Sequence, residues 1–173
     1  MQIRPATTDD LEEITRIYGE AVATGTASFE LTPPDVVEMA MRWSRLTDAG
    51  YPYLVADIDS TIAGYAYAGA YRARPAYYGT VENAIYVDAA FRRRGVARAL
   101  MEAVIAAATE RDFRQMIAVI GDSGNKASIR LHETCGFRHI GTFRSVGYKH
   151  GRWLDTVLMQ RELGEGDGTP PGN

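Results

Sequence analysis

Two patterns of apolar residues recur along this chain, one typical of helices and the other typical of strands. Spacings of three and four residues predict helices over 11–21, 35–46, 95–109 and 126–134. Short runs rich in β-branched and aromatic residues predict strands over 1–4, 53–58, 62–70, 81–87, 114–120, 137–146 and 153–161. Two strand–helix–strand units in the middle of this order predict an α/β fold, with one mixed sheet and helices on both faces.

The pattern predicts one domain, residues 1–163, followed by a short tail. A length of 173 residues fits a single domain, because domains commonly span ~50–250 residues. The sequence shows neither an internal repeat nor a second apolar-periodic unit. The tail, 164–173, is rich in glycine, proline and acidic residues, and we expect it to be disordered.

Charge and cysteine content exclude several functional classes. A net charge of −3 and a pI near 5.6 argue against general nucleic-acid binding. The single cysteine, Cys135, excludes an intrachain disulfide and a cysteine-based metal cluster, and the histidines show no metal-ligand spacing. We therefore expect no metal. No apolar run is long enough to span a bilayer, so we expect a cytoplasmic protein with no membrane partner.

A basic turn, Arg92–Ala97, follows one predicted strand and opens the third predicted helix. A helix N-terminus presents unpaired backbone N–H groups and the positive end of the helix dipole. Gly95 allows a bound group to approach the backbone closely, and the three arginines before it add positive charge. These features predict a diphosphate-binding site. The alternative is a solvated basic turn before an ordinary helix.

Two motifs in order give a family resemblance. The first is Arg92-x-x-Gly95-x-Ala97, and the second is Asn125-x-x-Ser128-x-x-x-His132-x-x-x-Gly136-Phe137. Together they resemble the signatures of the GNAT N-acetyltransferase superfamily, and the resemblance extends from Ile3 to about Leu163. Segments 80–87, 127–133 and 146–155 further resemble its phosphinothricin acetyltransferase-like branch.

The resemblance implies the GNAT acyl-CoA N-acyltransferase fold, with a single mixed, mostly antiparallel sheet flanked by helices. It implies an N-acetyltransferase that uses acetyl-CoA as co-substrate, in which the amine attacks the thioester directly. The branch acetylates the α-amino group of a small amino acid such as phosphinothricin, methionine sulfoximine or methionine sulfone. It also implies antibiotic or herbicide resistance and a homodimer, with the hairpin around Lys149, Arg152 and Trp153 in the dimer contact.

The resemblance assigns acetyl-CoA binding to one predicted strand and to the starts of two predicted helices. Backbone groups of the strand over 81–87 would bind pantetheine, and the start of the third helix would bind the diphosphate. The residues concerned are Ile85, Tyr86, Val87, Arg92, Arg93, Arg94, Gly95, Val96, Ala97, Arg98, Asn125 and Ser128. For Asn125, a plain helix N-cap is the alternative.

Two residues are candidates for acid–base catalysis. Glu82 lies on the strand that leads into the acetyl-CoA site and could take a proton from the substrate ammonium. The alternative is a strand-edge glutamate that only orients the amine. His132 stands where the superfamily usually has a tyrosine that protonates the leaving thiolate, which would make it the general acid. The alternative is a helix histidine that packs or orients CoA.

The acceptor amino acid is expected to bind at the loop that precedes the strand of Glu82. Arg72 and Arg74 are candidates for a carboxylate clamp, because a guanidinium matches a carboxylate in bidentate geometry. Phe29 and Tyr77 are candidate walls of the side-chain pocket, and Glu82 would contact the amine. Exposed loop arginines and packing aromatics are the alternatives.

Two other functions remain open from the residues. A peptide or protein N-terminal acetyltransferase would need an open groove, and the loop arginines favour a free carboxylate instead. A non-catalytic acyl-CoA-binding module would be favoured if Glu82 points away from the thioester site. A P-loop enzyme is excluded, because the chain has no G-x-x-x-x-G-K-[ST] sequence.

Overall fold

The computed structural model describes residues 1–171, and Gly172 and Asn173 lie outside the described part. The strands are β1 (Gln2–Pro5), β2 (Tyr53–Ile58), β3 (Thr61–Ala70), β4 (Thr80–Val87), β5 (Gln115–Gly121), β6 (Arg138–Lys149) and β7 (Arg152–Glu162). The helices are α1 (Leu11–Thr24), α2 (Val36–Asp48), α3 (Val96–Glu110) and α4 (Lys126–Thr134).

The strands form one sheet in the order β1-β2-β3-β4-β5-β7-β6. Only β4 and β5 are parallel neighbours among the described strands, so the predicted mixed, mostly antiparallel sheet is confirmed.

Each face of the sheet buries the apolar side of its own helices. On one face, α1 and α2 cover a cluster that includes Ile14 and Val55. On the other face, α3 and α4 cover a cluster that includes Ala56, Val81 and Leu100. The alternation of a strand produces this division, because successive residues point to opposite faces. Any polar residue on the central strands is thereby committed to one face or the other.

Strands β4 and β5 pair at their beginning and then separate. Parallel pairing joins 80–83 of β4 to 115–118 of β5. Beyond that point β4 continues to Val87 and β5 to Gly121 without pairing to each other within the described residues. The edge of β4 over 84–87 that faces β5 therefore offers backbone groups to an extended ligand. This opening between two central strands positions the candidate site.

The hairpin formed by β6 and β7 is tighter than the sequence predicts. The sequence pattern predicts a loop over 147–152, and that prediction is wrong. Strand β6 continues to Lys149 and β7 begins at Arg152, so His150 and Gly151 alone make the turn. Both turn residues have positive φ, 51° and 74°, which is the left-handed geometry of a type I′ hairpin turn. The strands consequently form a long arm at the edge of the sheet.

The C-terminal tail follows a buried residue, Leu163, and the described part of it forms turns. The Arg114 guanidinium lies near this tail, 3.2 Å from the carbonyl oxygen of Pro170 and 3.6 Å from the Glu165 carboxylate. The disorder expected for 164–173 stays a prediction, and its last two residues lie outside the described part. Among the helices described, none is long and apolar enough to cross a bilayer.

Candidate active site

Three adjoining cavities follow the separated edge of β4. The aromatic cavity, about 620 Å³, lies between α2 and the sheet, and its lining includes Tyr18, Tyr53, Tyr65, Tyr67 and Arg42. The cleft cavity, about 300 Å³, lies between β4 and β5 and reaches α4. The outer groove, about 750 Å³, lies between α1 and the first turns of α3 and α4. Glu82 and Asn83 line both the aromatic cavity and the cleft cavity, so these two adjoin at β4.

Glu82 places an unpartnered carboxylate at that junction. Its neighbour across the sheet is Gly69 of β3, which has no side chain to cover it. Within residues 1–171, no hydrogen bond or ion pair reaches the Glu82 carboxylate, although the residue is partly buried. Burial raises the pKa of Glu82 above its ordinary value, because the charged form loses solvation. A carboxylate in this setting is suited to accept a proton.

His132 reaches the cleft cavity from α4 and is bonded at both ring nitrogens. Nδ1 lies 2.8 Å from the backbone carbonyl oxygen of Ser128, one turn earlier. Nε2 lies 3.0 Å from Nδ2 of Asn83 on β4. Burial lowers the pKa of His132, and the bond to the Ser128 carbonyl acts in the opposite direction. The neutral ring is therefore favoured near pH 7.

The start of α3 has an open, positively charged surface. Gly95 has a φ of 82°, and a Cβ added there would meet nothing within 4 Å. Arg92, Arg93 and Arg94 are exposed, and Arg92 lines the outer groove. The Arg98 guanidinium is paired with Glu102, one turn along the helix, at 2.7 Å. The geometry fits a bound diphosphate, since open space, free helix-end N–H groups and guanidinium groups meet there.

The other predicted acetyl-CoA residues lie along the same path. Ile85 and Tyr86 line both the cleft cavity and the outer groove, and Val87 lines the outer groove. Asn125 and Ser128 line both cavities from the start of α4. The Asn125 side-chain oxygen accepts from the backbone N–H of Ser128 at 3.2 Å, so it caps the helix as well.

Phe29 is held over the cleft cavity by the hairpin arm and the end of β5. Its ring covers Gly121 and Gly147, where a side chain would collide with it. The neighbouring carbonyl of Ser28 accepts from the buried Lys149 ammonium at 2.8 Å. The predicted acceptor wall at Phe29 therefore lines a cavity that also contains Glu82 and His132.

The predicted clamp lies outside both inner cavities. Arg72 and Arg74 are exposed, and neither lines the aromatic or the cleft cavity of the described chain. The Arg72 guanidinium lies over the rings of Tyr71 and Tyr77, at 5.1 and 5.9 Å. Tyr77 belongs to the same exposed loop. The structure thus groups Arg72 with Tyr77 but does not bring either to Glu82.

Sequence reasoning missed Asn83 and the tyrosines of the aromatic cavity. Asn83 follows Glu82, and strand alternation alone would have indicated that it faces α3 and α4. Its side chain bonds Met101 of α3 and His132 of α4. The tyrosines come from β2, β3 and α1, so only the folded sheet brings them together.

Two further observations concern the single cysteine and groups able to bind a metal. Cys135 is buried, and burial raises the pKa of its thiol, which fits a packing residue. Over residues 1–171, no group of three or more histidine, cysteine, aspartate or glutamate side chains is placed to hold a metal ion.

Comparison with known proteins decides the family. Residues 3–158 match the acetyltransferase (GNAT) domain family, which covers most of the chain. The chain belongs to the GNAT acetyltransferase family. It is 51% identical over 169 residues to a phosphinothricin N-acetyltransferase of Alcaligenes faecalis, covering 98% of this chain and 86% of that one.

Two further relatives point in the same direction. An L-methionine sulfoximine/L-methionine sulfone acetyltransferase of Pseudomonas aeruginosa is 40% identical, covering 93% of this acetyltransferase and 94% of the relative. The crystal structure of a phosphinothricin acetyltransferase from Sinorhizobium meliloti in complex with AcCoA has a TM-score of 0.97 and 46% identity. That match covers 99% of this chain and 93% of the other.

Proposed function

We propose that this acetyltransferase uses acetyl-CoA to acetylate the α-amino group of a small amino acid. Phosphinothricin, methionine sulfoximine and methionine sulfone are the acceptors that the names of its relatives indicate. The observation that carries the proposal is Glu82, an unpartnered carboxylate with a raised pKa at the junction of two cavities. A lone carboxylate so placed has a clear use when an ammonium must lose a proton.

Acetyl-CoA would supply an activated acetyl group as its thioester. In this proposal, the free edge of β4 at Ile85, Tyr86 and Val87 holds pantetheine through backbone hydrogen bonds. The first turn of α3, from Gly95, binds the diphosphate, with Arg92, Arg93 and Arg94 beside it. Asn125 and Ser128 then border the path between the outer groove and the cleft cavity.

Glu82 would take a proton from the acceptor ammonium, directly or through water. The neutral amine would then attack the thioester carbonyl directly. A positioned base of this kind typically contributes ~10²–10⁴-fold to a rate. His132 is the remaining acid–base group in the cleft cavity, and the general-acid role predicted for it stays a prediction.

The acceptor itself would occupy the cleft cavity below Phe29, with its amine toward Glu82. The clamp role of Arg72 and Arg74 stays a prediction, and it requires their guanidinium groups to turn from their present positions toward the cavity. Among the described residues, Arg72 is held in its present position by its contacts with the rings of Tyr71 and Tyr77. Contacts of this kind typically contribute ~0.5–1 kcal/mol at exposed sites. A bidentate bond to a substrate carboxylate is strong enough to compete with them.

We also propose that the protein is a homodimer that works in the cytoplasm, where acetyl-CoA is available. The hairpin arm exposes a row of large apolar side chains, which are Ile140, Phe143, Val146, Tyr148 and Trp153. Exposed apolar side chains gathered on one hairpin typically mark a protein contact. Sedimentation equilibrium tests the assembly, and a mass of one chain at all concentrations would exclude the dimer.

The deciding experiment measures release of free CoA from acetyl-CoA with a panel of amines. The panel contains phosphinothricin, methionine sulfoximine, methionine sulfone, the common amino acids, a simple amine and a short peptide. We expect turnover with the first three and little with the peptide. Preference for the peptide would indicate an N-terminal acetyltransferase. Binding of acetyl-CoA without turnover on any acceptor would indicate a non-catalytic acyl-CoA-binding module.

A further inference from the structure

The hydrogen bonds of His132 determine which of its ring nitrogens carries a proton. The Ser128 carbonyl oxygen, 2.8 Å from Nδ1, can only accept a hydrogen bond. Nδ1 must therefore carry a hydrogen. In a neutral ring, Nε2 then has a lone pair and no hydrogen. The Asn83 amide nitrogen, 3.0 Å from Nε2, is placed to donate to that lone pair.

The orientation of the Asn83 amide follows from the same bonds. If its oxygen faced Nε2 instead, both ring nitrogens would need a hydrogen and the ring would be a cation. Burial disfavours that cation, since His132 is only 3% exposed. The Asn83 amide nitrogen also lies 3.3 Å from the Met101 sulfur, a weak acceptor. Both contacts are consistent with the nitrogen pointing toward His132.

The other end of the same amide is unpartnered. Asn83 is 7% exposed, and its Oδ1 is buried without a hydrogen-bond partner among the described residues. A buried oxygen with no hydrogen-bond partner is unfavourable, so Oδ1 would gain from a donor. No donor within residues 1–171 therefore opposes the contact between Asn83 and His132, and none prevents the amide from rotating if His132 becomes protonated.

We propose that Asn83 is a positioning residue that keeps His132 neutral in the Nδ1–H form, so that resting His132 accepts a proton and does not donate one. This role rests on the acetyl transfer proposed above. Acetyl transfer forms a C–N bond, breaks the C–S bond, and moves one proton from the amine nitrogen to the departing sulfur. His132 can carry that proton only at Nε2, because the Nδ1 hydrogen is committed to Ser128. Protonation displaces the Asn83 donor, and rotation of the amide presents Oδ1 to the new N–H.

Burial is the main influence on the protonation of His132, and Asn83 is the side chain of the described structure that bonds its Nε2. The ionisable groups that share the cleft cavity are Glu82 on β4 and the phenols of Tyr67 and Tyr86. Burial raises the pKa of both phenols, to about 12 for Tyr67, so they stay neutral. The lining contributed by β5 is uncharged, α3 adds Met101 through Asn83, and the ring edge-packs on Phe137. In the described structure, Glu82 is the one carboxylate that lines this cavity with the neutral His132 ring.

The first test needs no substitution at Asn83. Long-range ¹H–¹⁵N spectra of the imidazole rings distinguish the two neutral forms and the cation. The chain has three histidines, and a His132→Gln variant assigns the signal of His132. We expect the Nδ1–H form at pH 7 and a midpoint of protonation below the ordinary value for a histidine, because burial lowers the pKa of His132. An Nε2–H form, or a cation at pH 7, would overturn the inference.

Two variants then test the part played by Asn83. Asn83→Asp places a carboxylate near Nε2, which favours the cation and should raise the midpoint of His132 protonation by about one pH unit or more. Asn83→Ala removes the donor that stabilises the neutral ring, so the midpoint should rise by a smaller amount. Gln160→Ala is the matched control, because it removes a side-chain amide that bonds Gln115 on the sheet. An unchanged midpoint in Asn83→Asp would contradict the proposed role.

Kinetics separate positioning from mere packing. In Asn83→Asp, the pH at which kcat declines on the acid side should rise with the His132 midpoint, while KM for acetyl-CoA changes little. If the midpoint rises by about one pH unit, the active fraction at a given acidic pH falls about 10-fold. A uniform fall in kcat with an unmoved pH profile would indicate a structural role only. Absence of acetyl transfer in the parent protein would refute the proposed function, whereas the spectra test the His132 form independently.

Discussion

Glu82 and Asn83 are adjacent on β4, yet they bring two different acid–base environments to one opening in the sheet. Glu82 lines the aromatic cavity and has no partner in the described structure. Asn83 faces the other side, where it bonds a histidine whose two ring nitrogens are both engaged. Because β4 and β5 separate just beyond this point, both environments reach the same cleft. Because side chains alternate along a strand, these two consecutive residues present an unpartnered carboxylate on one face and, on the other, an amide that bonds His132.

The difference between the two sides is one of solvation and bonding. Burial without a partner among the described residues raises the pKa of Glu82, which prepares it to accept a proton. Burial with partners keeps His132 neutral and oriented. A partner for Glu82, such as a neighbouring arginine, would hold its pKa low and weaken it as a base. The chemistry of each group therefore follows from whether its neighbours in the fold can bond it.

The largest expected effect comes from Glu82→Gln, which removes the carboxylate and keeps its shape. We expect kcat to fall by ~10²–10⁴-fold, the usual contribution of a general base. In the parent enzyme, activity requires the deprotonated carboxylate, so the rate falls as pH decreases through its raised pKa. That part of the pH–rate profile should vanish in the variant. Steady-state rates measured across pH check both expectations.

A matched glutamate serves as the control for that substitution. Glu110→Gln changes an exposed residue at the end of α3, far along the helix from the cleft. It should alter neither kcat nor the pH profile. If Glu82→Gln behaved like this control, the free carboxylate would have no part in proton transfer.

Gly95→Val tests the cofactor side and should have the next largest effect. A side chain at Gly95 would fill the open space before α3 and block approach of a diphosphate. Loss of two charge-assisted hydrogen bonds, at ~1.5–3 kcal/mol each, would weaken acetyl-CoA binding by about 100-fold or more. Isothermal titration calorimetry with acetyl-CoA measures this directly.

Backbone strain must be separated from lost binding in that experiment. Gly50 has nearly the same φ, 80°, and equally open surroundings, but it lies at the opposite end of α3, where the Arg111 side chain donates to its carbonyl oxygen at 2.8 Å. Gly50→Val should therefore lose similar stability and keep its affinity for acetyl-CoA. Equal affinities of the two variants would remove the diphosphate assignment at the start of α3.

The structure brings most of the predicted cofactor residues onto one path, whereas it leaves Arg72 and Arg74 of the predicted acceptor side outside the inner cavities. The basic turn before α3 and the α4 motif are local, since their residues lie within one or two helical turns of one another. The aromatic cavity depends on pairing between β2, β3 and β4, so no short spacing reveals it. Asn83 was missed for a different reason, because an asparagine in a strand has no chemistry until its neighbour across the fold is known. The hairpin arm was predicted too short, because His150-Gly151 is not one of the Asn-Gly or Asp-Gly pairs that usually signal a two-residue turn.

Arg72→Ala has the smallest expected effect and tests whether the acceptor side extends to the exposed loop. Arg72 is near Tyr71 and Tyr77 but away from Glu82, so a clamp role requires the loop or the side chain to move on binding. If it does, loss of a bidentate bond worth ~1.5–3 kcal/mol should raise KM about 10-fold or more for amino acids. KM for a simple amine without a carboxylate should stay the same. Arg130→Ala provides the control, because Arg130 is an exposed arginine of α4 that lines none of the three cavities. Equal changes in KM for both acceptors would show that Arg72 only packs against its tyrosines. The carboxylate would then have to bind inside the cavities, where Arg42 and Arg45 line the aromatic cavity beside Glu82.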